Sequence, residues 1–253
     1  MPKLVPALLF AAIAAAANVI GGALLLRQRR QDRAFLTAVL SISAGFMLAA
    51  SILAMLPHAL HELPHASWHP ALLTFLVGYL LVQVAEHTLV SHFHFGEETH
   101  TAEVLGPHVH AASLAGLGVH TFFDGVMIGA SFHFSPGLGV LAFLAVGLHK
   151  LPEGFTMASI SLATGRSPKQ ALGSVGVLAL ATLAGAMCAA VVPDAVAPYA
   201  LAMSAGVTLY VAASDLIPEV NAASGVRCSL LVFVGVGLFW LTQELLVRAG
   251  VRY

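Results

Sequence analysis

Long apolar stretches, separated by short polar breaks, follow one another along this chain. They fall at 4–26, 35–57, 71–91, 111–133, 137–162, 170–192, 196–217 and 229–247. Each is close to the ~17–25 residues that an α-helix needs to cross a hydrocarbon core. The pattern predicts an all-α, polytopic membrane bundle of eight transmembrane helices, folded as a single domain over residues 1–253. The first stretch has a second reading as a cleaved leader, because Ala14–Ala17 resembles a cleavage region. Its only leading charge is Lys3 and the strong basic run comes after it, which favours a span.

Composition agrees with the pattern. Of 253 residues 58% are hydrophobic and 9% charged, against a usual charged share of about 25%, too little polar surface for a soluble domain. A formal net charge of −1 leaves no basic footprint for nucleic acid. Cys188 and Cys228 lie in separate apolar stretches and read as packing residues. Positive charge sets the orientation. Arg27, Arg29, Arg30 and Arg33 should stay cytoplasmic, with Arg166, Lys169 and Arg227 on the same side and Lys3, Arg248 and Arg252 opposite. Both termini are therefore expected outside. Alanine richness and short loops fit a bacterial inner membrane.

The polar residues inside the spans carry the chemistry. His120 and Asp124 lie four apart in the fourth span, as do His149 and Glu153 in the fifth, so each pair shares one helix face. A mid-bilayer carboxylate costs about 2.5–3.5 kcal/mol on the mildest scale, so it needs a partner and usually marks a pathway. A Ser135-Pro136-Gly137 turn makes the two helices antiparallel neighbours. Both carboxylates precede a glycine, Gly125 or Gly154, which permits close backbone approach, and Pro152 should bend the fifth helix at the site. Two imidazoles and two carboxylates suit Zn²⁺, with Fe²⁺, Mn²⁺ and Cd²⁺ as alternatives; the missing sulfur ligands argue against Cu(I). Lys150 is the odd member, placed to pair with Glu153 or to fill the place of a second cation.

Histidine is concentrated: all 13 lie between positions 58 and 149. His92, His94, His100, His108 and His110, with Glu97, Glu98 and Glu103, make a metal-capturing tract of the cytoplasmic loop at 92–110. The outward loop at 58–70 carries His58, His61, Glu62, His65 and His69. Within it, His61-Glu62-Leu63-Pro64-His65 matches the zinc-protease pattern H-E-x-x-H, but Pro64 and the loop setting oppose catalysis, and metal capture at an entrance is the better reading. In the seventh span Asp215 and Glu219, four apart across Pro218, suggest an exit station that Glu86 and His87 could supplement. A faint repeat links Ser43-Ala-Gly45 and Pro57 of the second span to Ser204-Ala-Gly206 and Pro218 of the seventh. These spans cross in opposite directions, as an inverted repeat requires.

These motifs resemble the Zrt/Irt-like (ZIP) family of divalent-metal transporters over essentially the whole chain. The resemblance rests on His120-x-x-x-Asp124-Gly125, His149-Lys150-x-Pro152-Glu153-Gly154, Gly45 to Ser51 with Pro57, and Ser214 to Glu219. It implies a metal site on His120, Asp124, His149 and Glu153, a 3+2+3 inverted-repeat arrangement, and alternating access with spans 1, 4, 5 and 6 moving against 2, 3, 7 and 8. Ser51 and His58 fall where relatives line the entrance. Two departures from the family pattern matter: Thr121 and Lys150 stand where some relatives hold a second metal, and the sixth span offers only Thr182 in place of an acidic ligand. The implied activity is uptake of zinc or a similar cation as substrate, with no organic cofactor and the bilayer as partner; a homodimer stays open. The rival readings are an intramembrane zinc-dependent hydrolase on the same ligands, and a proton channel or metal sensor.

Overall fold

In a computed structural model of the chain, residues 4–27, 33–89, 107–222 and 226–251 are described. They include eight helices long and apolar enough to cross a membrane: Leu4–Arg27, Thr37–His61, His65–Ala85, Val109–Phe134, Pro136–Ala163, Pro168–Ala190, Ala197–Asn221 and Val226–Arg248. No strand occurs among the described residues. The count of eight agrees with the apolar pattern, and an even number brings both ends of the helical series to the same side. The third and eighth spans are the least buried and face outward, whereas the second, fourth, fifth and seventh are mostly enclosed. The fourth and fifth thus lie where a site can be dry.

Small residues set the packing. A β-carbon at Gly125 would overlap the carbonyl oxygen of Thr182, and one at Gly185 that of Phe122, so the fourth and sixth spans touch backbone to backbone. The first and fifth spans repeat this contact, with Gly154 against the carbonyl of Asn18 and Gly21 against that of Leu151. Without an attraction between apolar helices beyond what lipid offers, such close approach is what holds a membrane bundle together.

The faint sequence repeat has a structural counterpart. The second span turns π-helical over Ala50–Met55 and the seventh over Val211–Leu216. In each, the residue just before the proline bonds five residues back, Leu56 to the carbonyl of Ser51 and Ile217 to that of Ala212. Pro57 and Pro218 cannot donate, and the wider π turn absorbs the disruption. The packing of these spans repeats as well. Gly45 meets the carbonyl of Val232 on the eighth span, while Gly206 meets that of Phe75 on the third.

Several boundaries differ from the apolar pattern. The second span stays helical to His61, so His58 and His61 sit on its last turn rather than in a loop. The fourth helix starts at Pro107, which takes His108 and His110 out of the loop at 92–110. Apolar runs miss both extensions because a helix end that leaves the hydrocarbon region no longer needs apolar side chains.

Candidate metal centre

The fourth helix offers His120 and Asp124 to the interior, and the fifth offers His149 and Glu153. Ser135 joins the two helices: its extended backbone ends one, and its hydroxyl accepts the Leu138 N–H at 3.1 Å to cap the other. The fifth helix runs unbroken through Pro152, and the hydroxyl of Thr156 donates to the proline carbonyl at 3.0 Å. All four side chains are buried.

One ligand atom from each of the four residues lies within 4.8 Å of the others. The Nε2 atoms of His120 and His149 both stand 3.2 Å from Asp124 Oδ2. Their distances to Glu153 Oε2 are 3.5 and 3.7 Å. Zinc held at about 2.1 Å puts tetrahedral neighbours about 3.4 Å apart, so these four nitrogen-to-oxygen edges already have the spacing of a tetrahedral cage. The Nδ1 of His149 is 3.1 Å from the carbonyl of Ala145. A proton donated there leaves the Nε2 lone pair aimed into the cage.

Three further side chains hold the carboxylates. Asn18 Nδ2 donates to Glu153 Oε1 at 2.8 Å and Thr121 Oγ1 donates to the same oxygen at 2.7 Å. Lys150 Nζ, fully buried, is 2.7 Å from Asp124 Oδ2 and 2.7 Å from Glu153 Oε2. The expected pairing of Lys150 with Glu153 is therefore present and extends to Asp124. Asn18 escaped the sequence reading, although the signal was there: it is the only polar side chain inside the first apolar stretch. The first span is thereby part of the bundle and contributes to the site. Thr182 donates to the Leu178 carbonyl at 3.4 Å and offers only its own carbonyl to Gly125.

The other candidate residues are distributed around this centre. Ser51 is buried, its hydroxyl donating to the Ala205 carbonyl at 2.7 Å. His58 Nε2 lies 3.6 Å from Glu62 and His61 Nδ1 lies 4.0 Å from it, with the His61 side chain well exposed. The helix ends at His61 and His65 starts a 3₁₀ turn, where its ring stacks on Trp68 at 4.2 Å. The two histidines of the protease-like pattern are therefore not on one helix face. Asp215 is buried at the end of the π-helical stretch, with Glu219 one turn on.

His110 is a correction. It was expected in a loop that captures metal, yet it is buried on the fourth helix with Nε2 2.9 Å from Ser174 Oγ of the sixth. Helix continuation to Pro107 turns it inward, where a ring nitrogen needs a polar partner. His108 shares that helix. His92, His94 and His100 lie outside the described residues.

Comparison with known proteins agrees with this geometry. The family described as ZIP Zinc transporter matches residues 108–243, more than half of the chain and including both metal motifs. The chain is similar to zinc transporter SLC39A7 of Mus musculus, 36% identical over 135 residues that cover 49% of this chain and 28% of that protein. It is also similar to zinc transporter ZIP9 of Micropogonias undulatus, 28% identical over 183 residues, 65% of this chain and 58% of that protein. A third relative is zinc transporter ZIP10 of Danio rerio, 33% identical over 127 residues, 48% of this chain and 15% of that protein. The chain covers less than two thirds of the length of each. With the eight spans, the buried His/carboxylate cage and the family match in agreement, this protein belongs to the ZIP zinc transporter family.

Proposed function

We propose that this protein carries divalent cations, zinc foremost, into the cytoplasm, exposing a site on His120, Asp124, His149 and Glu153 alternately to the two sides of the membrane. The observation that carries this reading is the cage itself: four buried ligand atoms whose nitrogen-to-oxygen edges of 3.2–3.7 Å suit tetrahedral zinc, on two helices in mid-bundle. Fe²⁺, Mn²⁺ and Cd²⁺ accept the same donors.

On this reading hydrated metal gathers at His58, His61 and Glu62 beside Ser51. It sheds water to the four cage ligands, then leaves past Asp215 and Glu219 toward the tract at His92, His94 and His100. Both termini face outward, and spans 1, 4, 5 and 6 rock against 2, 3, 7 and 8. The near-identical π turns of the second and seventh spans support a repeat of this kind. Thr121 and Lys150 stand where a second metal would need ligands, so the cage holds one. Composition favours a bacterial inner membrane as the location.

A hydrolase would need a base beyond the ligands, and both carboxylates of the cage are already used as ligands. The decisive measurement is metal entering liposomes loaded with a zinc-sensitive dye. Saturable influx is expected from the wild type and is lost in His149→Ala and Glu153→Ala. A folded wild type that binds zinc but admits none would move the assignment to an enzyme or a sensor.

A further inference from the structure

Lys150 shares its two acceptors with the metal. Its Nζ touches Asp124 Oδ2 and Glu153 Oε2, both at 2.7 Å, and these are the two oxygens that face the imidazoles of His120 and His149. The glutamate has no spare oxygen to offer instead. Its Oε1 already accepts from Asn18 and Thr121, at 2.8 and 2.7 Å, which pins Oε2 toward the centre. Asp124 keeps one unpartnered oxygen, Oδ1, but the Oδ2 that faces both imidazoles is the one Lys150 holds. A cation bound among the four ligands and the ammonium of Lys150 therefore compete for that oxygen and for Glu153 Oε2.

Charge shows what the competition does. Two carboxylates without a cation would leave two uncompensated negative charges in a site with almost no exposure, which a low-dielectric interior penalises heavily. With both imidazoles neutral, as metal binding requires, and Lys150 in place, the empty site carries one net negative charge, and with a dication as well it carries one net positive charge. The lysine thus stabilises the empty site and destabilises the loaded one. Its other neighbour, Thr121 Oγ1 at 3.4 Å, is an acceptor to which Nζ can turn when metal displaces it.

We propose that Lys150 is a tethered stand-in for the transported cation. It occupies the carboxylates of the unloaded carrier, so that the carrier can return across the membrane without metal, and it yields them when metal arrives. This rests on the transport reading above and adds a role for a residue that is not itself a ligand. Removing the charge should tighten binding and trap the protein loaded.

Net uptake requires the empty carrier to return, whereas exchange of labelled for unlabelled zinc does not. In liposomes, Lys150→Met is expected to slow net zinc uptake about tenfold more than it slows zinc–zinc exchange, because one partner of a buried charge pair has gone. Lys150→Arg, which keeps the charge, should bring the ratio back toward wild type. In detergent, Lys150→Met should bind zinc more tightly than wild type by dye competition. Equal slowing of uptake and exchange overturns the proposal, as does weaker or absent zinc binding by the methionine variant. Wild-type protein that shows neither flux removes the transport reading itself, a failure distinct from either of these.

Discussion

Asn18 shows how much one uncharged side chain can contribute to a charged site. Its amide and the Thr121 hydroxyl both donate to Glu153 Oε1, so the glutamate presents a single oriented oxygen. Groups that orient metal ligands are worth about 10–100-fold in metal affinity. Asn18→Leu should therefore weaken zinc binding by at least tenfold while leaving all four ligands in place, as dye competition on purified protein would detect. Unchanged affinity would mean that Glu153 is positioned by Thr121 and its own helix alone. The histidines act differently, because they must be neutral to bind metal. Lowering the external pH from about 7 to about 5 should raise the zinc concentration for half-maximal uptake. A flat response would count against imidazole as a direct ligand.

Helix pairs carry the next level of organisation. The fifth span reaches the first because Gly154 lies on the Asn18 carbonyl and Gly21 on the Leu151 carbonyl. That contact also delivers the Asn18 amide to Glu153, so packing and site geometry are one feature. Gly154→Ala should push the two helices apart at a cost of about 1–3 kcal/mol, lowering the thermal stability in detergent and weakening zinc binding together. Gly118→Ala is the comparison, since a β-carbon there meets nothing within 4 Å. Equal stability of the two variants would show that the first and fifth spans can part without loss. The fourth and sixth spans pack in the same reciprocal way, yet Thr182 occupies the place corresponding to Asn18 and makes no bond to Asp124. The two carboxylates are consequently held unequally.

For the whole molecule, the expected stoichiometry follows from that site. One zinc per chain should remain bound after excess metal is removed, counted by elemental analysis of the purified protein. Two zincs lost together on mutating His120 would contradict a cage that holds one metal. The second and seventh spans share a π turn before proline. A π turn at a matched place in both is a candidate point of flexure for alternating access, since such turns often coincide with functional sites.

The number of spans and the grouping of His120, Asp124, His149 and Glu153 were legible in the residues because both are local properties. Helix length follows from runs of apolar side chains, and a spacing of four puts His120 with Asp124, and His149 with Glu153, on one face without any knowledge of neighbours. The short Ser135-Pro136-Gly137 connection was enough to bring the two pairs together. The boundaries at His61 and Pro107 were not legible, because hydropathy reports the membrane rather than the end of the helix. Nor was the network around the cage. Whether Lys150 meets one carboxylate or two, whether Asn18 reaches Glu153, and whether His110 faces a loop or Ser174 all depend on the rotation and depth of one helix against another. Backbone contacts between distant glycines and carbonyls set those quantities, and only the assembled bundle contains them.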